Sequence, residues 1–172
     1  MIKILKGVLL MLVTGLMMHS ATAQDSVYQI PGLIKEGLQV NVMGKNIYLE
    51  HGRLWAPKGY LNTKTGTKDS EMGFLKSSSL VLNYDIGFSA GAHMGDHKKS
   101  SCGSYLDTTI NGHRLVIGIT SGHPMLELIV TIYGAANKAS PFDFPVNFWA
   151  TVNSRSQIIE LLAIIVSYQS KT

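Results

Sequence analysis

Along most of the chain, apolar residues come in short runs punctuated by Gly, Pro, Asn and Ser, the spacing of strands; only towards the C-terminus does the period lengthen to that of a helix. Ile47, Leu49 and Leu54 flank the turn residues Glu50-His51-Gly52-Arg53, so residues 45–56 predict a hairpin running into Pro57-Lys58-Gly59. Residues 72–75 and 80–87 predict two strands joined by Lys76-Ser77-Ser78-Ser79. Strand character resumes over 108–120 around Asn111-Gly112, a dipeptide suited to a tight turn. Either a hairpin turns there or the strand begins after it. Residues 125–133 pair antiparallel with that strand across Ser121-Gly122-His123-Pro124, and 146–152 add a short strand.

At the C-terminus Ser154 and Gln157 stand in capping-box spacing, and Ile158, Ile159, Leu161 and Leu162 follow as an apolar face. This predicts a helix from Ser154 to about Ile164 with a short extended tail. Pro31-Gly32 and Gly37 are expected to interrupt any long element over 24–41, and 62–68 reads as a polar linker. Residues 88–105, rich in Gly, Ser and His, carry no apolar period and predict a long loop. The sum is an α+β domain, an antiparallel sheet of about six strands backed by a C-terminal helix.

The N-terminus adds a compartment. Lys3 and Lys6, the apolar run from Val8 to Met18 and Ala21-Thr22-Ala23 follow the plan of a secretory signal peptide, with cleavage expected after Ala23. The run falls short of the roughly 20 residues of a membrane span, so a periplasmic or secreted protein without stable membrane insertion is expected. Residues 24–172 then form a single domain, and loss of two lysines lowers the formal charge from +4 to +2. Positive charges are scattered, with Lys98-Lys99 the one close run, which argues against a nucleic-acid partner. The single cysteine, Cys102, excludes an internal disulfide, so stability falls to the apolar core.

Two short motifs carry a resemblance. Asp69-Ser70-Glu71-Met72-Gly73 followed by Leu82-Asn83-Tyr84-Asp85-Ile86-Gly87 resembles a pattern of exported bacterial proteins and lipoproteins of unknown function. Pro57-Lys58-Gly59-Tyr60 precedes the pair and Ile110-Asn111-Gly112 follows it. The layout is similar to the PsbP/Mog1-like fold, with Ser167-Tyr168 in place of its final "Ser-aromatic" strand end. That resemblance implies a fold and a compartment, and no activity.

From the residues themselves, Asp69, Ser70 and Gly73 suit turns, while Asp85 interrupts an apolar strand and must find hydrogen bonds or a cation if buried. Asp69, Ser70, Tyr84 and Asp85 are the candidate lining of a ligand or partner cleft, with Lys98 and Lys99 on its rim. The aromatic stretch 141–149 is a second choice. His93 and His97, four apart with Asp96 between them, are the candidate ligands for Zn²⁺ or Cu²⁺, although Gly91 and Gly95 disfavour the helix that would align them. No Gly-x-Ser-x-Gly elbow, Walker loop or dinucleotide fingerprint occurs. The expectation is an exported, non-catalytic domain that binds a protein or a small ligand, such as an immunity protein against a toxin. The alternative is a metal-binding protein or metal-dependent hydrolase built on the histidine loop. No cofactor is required by the first reading.

Overall fold

The computed structural model describes residues 28–39, 44–66, 70–87, 103–122, 125–133 and 145–170. In chain order the elements are α1 (Ile30–Gln39), β1 (Gly44–Tyr48), β2 (Gly52–Pro57), β3 (Leu61–Lys64), β4 (Ser70–Lys76), β5 (Val81–Gly87), β6 (Ser104–Ile110), β7 (His113–Gly122), β8 (Met125–Tyr133), β9 (Val146–Val152), α2 (Arg155–Val166) and β10 (Gln169–Ser170). The strands form a seven-stranded sheet in the order β3-β4-β5-β9-β8-β7-β6 and a three-stranded sheet in the order β1-β2-β10. Every pairing is antiparallel. The α+β class and the C-terminal helix agree with the sequence pattern. The expected six strands become ten among the described residues, in two sheets instead of one.

The additional strands are the polar ones. β3 lies at one edge of the large sheet and is mostly exposed, so it has no buried face to impose alternation and reads as the linker 62–68. β6 is the opposite edge, and it starts at Ser104, inside the expected loop 88–105 and ahead of the strand expected from 108. β6 turns into β7 at Asn111-Gly112, both with positive φ (53° and 81°), which settles that segment as a hairpin.

Residues 30–39 form a helix where an interruption was expected. Pro31 sits in the first turn, where its missing N–H costs nothing, and Ile30, Leu33, Ile34 and Gly37 follow the helical period into the core. Gly37 faces α2: a Cβ there would stand 3.0 Å from the Ile159 carbonyl oxygen and 3.3 Å from the Ala163 nitrogen. The glycine is a helix–helix contact and not a break.

α2 is the centre of the molecule. It packs against α1, β2 and β9, and Ile158 with every residue from Leu161 to Val166 is buried. Ser154 caps it, its Oγ accepting from the Gln157 N–H at 3.4 Å, while Gln157 Oε1 accepts from the Asn153 N–H at 2.9 Å. At the far end the Ser167 hydroxyl donates to the Ile164 carbonyl (2.6 Å), and its oxygen accepts the Trp55 N–H (2.8 Å). That joint turns the chain into β10 beside β2. Among the described residues no helix is long and apolar enough to cross a membrane.

Candidate functional site

The large sheet has two faces of different chemistry. Leu82, Tyr84 and Ile86 of β5, with Val146, Phe148, Ala150 and Val152 of β9, belong to the core shared with α2. The alternate residues point the other way, where no described helix packs. Register aligns Met72, Asp85, Asn147, Thr131, Val116 and Asp107 in one line across six strands. The neighbouring line is Phe74, Asn83, Trp149, Ile129, Gly118 and Tyr105.

The first line is a belt of polar groups set into the sheet. The Ser70 hydroxyl donates to Asp85 Oδ1 at 2.9 Å, and the Thr131 hydroxyl donates to Asn147 Oδ1 at 2.7 Å. Asp85 is 6% exposed, and Asn147 and Thr131 are fully buried. The ion pairs among the described residues are Lys64 with Glu71, Arg114 with Asp107 and Arg155 with Glu36, so none of these cations serves Asp85.

Farther along the same face, Arg114 grips Asp107 through Nε (3.0 Å) and Nη2 (2.6 Å), and its guanidinium lies 5.1 Å from the centre of the Tyr133 ring. The hydrogen bonds from Arg114, more than its charge at a distance, hold the Asp107 carboxyl below the ordinary carboxylate range. Tyr105, Tyr133 and Trp149 pack around the buried Val116 and Ile129.

A second polar group lies on the helix side, where the small sheet meets the large one. Glu71 is buried, its Oε2 accepts the Glu50 N–H from the β1–β2 turn, and its Oε1 stands 2.7 Å from the half-exposed Lys64 ammonium. That contact is an ion pair without hydrogen-bond alignment. Tyr84 donates to Asn62 Oδ1 (2.9 Å), and Tyr168 donates to the His51 carbonyl (3.2 Å). Burial first, and the Glu71 charge second, push the Tyr84 hydroxyl up to about 12. The same two causes raise Tyr168. Gly73, opposite Tyr84, gives the ring room, since a Cβ there would collide with the phenol and with the Thr63 carbonyl oxygen.

Of the residues singled out in the sequence, the fold joins Ser70 to Asp85 and separates both from Tyr84. Adjacent residues of a strand point to opposite faces, so Tyr84 and Asp85 cannot line one cleft. Phe148 and Trp149 divide in the same way: Phe148 meets Tyr168 edge-on in the core (6.2 Å between ring centres), while Trp149 is on the outer face. Asp69, His93, His97, Lys98, Lys99, Cys102, Phe142 and Phe144 lie outside the described residues. Among the described residues no three His, Cys, Asp or Glu side chains converge as a metal site would need. Asn147, Thr131, Arg114 and Asp107 escaped the sequence reading. A polar residue inside an apolar strand, the signal that marked Asp85, also marks Thr131 and Asn147.

Compared with models of known protein families, with curated proteins and with solved structures, the chain shows no match.

Proposed function

We propose that the protein is an exported, non-catalytic α+β domain that binds another protein through the sheet face carrying Ser70, Asp85, Trp149 and Arg114. The observation that carries this reading is the composition of that face. Arg114, Tyr133, Tyr105 and Trp149 stand together on one side of a rigid sheet, and Arg, Tyr and Trp are the residues that dominate binding energy at protein interfaces. The export signal in residues 1–23 supports a periplasmic or extracellular place for it. An immunity protein that blocks a toxin delivered to the periplasm is one specific form of this reading. The antiparallel sheet backed by a C-terminal helix supports a PsbP/Mog1-like layout, which superposing an experimental structure on that fold would test.

Assaying the mature protein on broad peptidase, esterase, glycosidase and phosphatase substrates, beside a gene deletion challenged by competing cells, tests the proposal. No turnover, together with sensitised cells, is the expected result. Turnover that vanishes on Asp85→Asn or Glu71→Gln would replace binding with catalysis.

A further inference from the structure

We infer that Asp85 is a receptor for a cationic group, the ammonium or guanidinium of a basic side chain on the protein partner. This rests on the binding role proposed for the sheet face and says what chemistry that face selects. Asp85 is nine-tenths buried, yet a neutral hydroxyl, Ser70, is the one donor it has among the described residues, and none of the three ion pairs involves it. A buried carboxylate without a counter-charge is costly, and one hydrogen bond from a neutral group offsets only part of that cost.

Two other carboxylates of the sheet, the buried Glu71 and the exposed Asp107, show what compensation looks like in this fold. Glu71 has Lys64 and the Glu50 N–H, and Asp107 has two nitrogens of Arg114. Asp85 stands apart from both, on an inner strand of the sheet and nine-tenths buried. Groups that destabilise a fold and persist are characteristic of binding sites, because the partner supplies the missing interaction. The surroundings suit a cation. Asn147 is the direct cross-strand neighbour of Asp85, and Trp149, two residues along β9 on the same face, presents an aromatic ring of the kind that attracts ammonium and guanidinium groups.

The test uses the full mature chain and the near-isosteric Asp85→Asn variant, with agmatine and Nα-acetyl-lysine amide as probes. At neutral pH Asp85→Asn is expected to melt a few degrees above the wild type, since it removes a charge that has no counter-ion among the described residues and keeps the volume. Each probe is expected to raise the wild-type Tm in proportion to the logarithm of its concentration and to leave Asp85→Asn unmoved. Equal probe responses in the two proteins, or a variant that melts below the wild type, would overturn the inference. So would a response to calcium chloride alone, which would assign the site to an inorganic cation. A Lys98→Ala/Lys99→Ala variant decides between an external and an internal cation: an unchanged Tm supports the inference, and a fall that Asp85→Asn cancels would make the cation the chain's own. Failure here leaves binding through the outer face standing, because Arg114 and the aromatic side chains are read by a separate experiment.

Discussion

The Ser70 hydroxyl and the Asp85 carboxylate meet at 2.9 Å across β4 and β5, both almost shut off from solvent. Removing the donor leaves the buried carboxylate without its one described partner. Ser70→Ala is therefore expected to lower stability by about 1–3 kcal/mol. In the double variant with Asp85→Asn the cost should shrink, because the amide does not carry the charge. Urea unfolding of the two single variants and the double variant measures that coupling.

Glu71 ties the β1–β2 turn to β4, and Lys64 neutralises it from the sheet edge. Lys64→Met should destabilise the fold by about 1–3 kcal/mol, less than the loss of a fully buried partner because Lys64 is itself half exposed. Hydrogen exchange should show the opening concentrated at residues 48–52. Uniform loss of protection over the whole chain would mean that the pair does not pin the small sheet.

Tyr60, Tyr84 and Tyr168, whose hydroxyls are raised most, predict an alkaline limit. For Tyr60, burial first and the hydrogen bond to Glu160 (2.8 Å) second hold the proton on, as burial and Glu71 do for Tyr84 and Tyr168. A raised native value means that the folded protein keeps protons the unfolded chain releases. Stability is then unaffected below the ordinary value of 10.0 and falls as pH climbs towards about 12. Thermal melts across that window check the slope. Tyr84→Phe should flatten it, and an unchanged slope would remove Tyr84 from the explanation.

Gly37 predicts a steric cost that helix propensity does not offset. Alanine should be gained cheaply at an exposed helix position, by about 1 kcal/mol, but a side chain at 37 is driven into the backbone of α2. Gly37→Val is expected to cost about 2 kcal/mol through overpacking. A neutral or stabilising Gly37→Ala would show that the two helices can separate freely.

What the sequence disclosed follows from where each element is buried. β8, β9 and α2 have faces in the core, and their apolar spacing shows it: Leu128, Val130 and Ile132 alternate, and Ile158, Leu161, Leu162 and Ile165 follow the helical period. β3 and β6 are edges, so the polar Asn62-Thr63-Lys64 reads as linker and Ser104-Tyr105 as the end of a loop. Pro31 and Gly37 were misread because each has a second use, the first turn of a helix and a helix–helix contact. At the site, Asp85 was visible as a carboxylate in an apolar strand. Its separation from Tyr84 requires knowing the strand, and the line to Asn147 and Thr131 requires the register of β5, β9 and β8, which no local pattern contains.

Whether the outer sheet face is the binding face is decided most directly by comparing partner retention on two surface variants. Arg114→Glu reverses an exposed charge on that face, and Tyr48→Ala truncates an exposed aromatic of the small sheet. Immobilised wild-type mature protein is expected to retain a specific partner from the medium or envelope extract of competing cells. Arg114→Glu should weaken that retention at least tenfold, about 1.4 kcal/mol, while Tyr48→Ala retains it fully. Retention kept by Arg114→Glu and lost by Tyr48→Ala would move the interface to the small sheet and contradict the account.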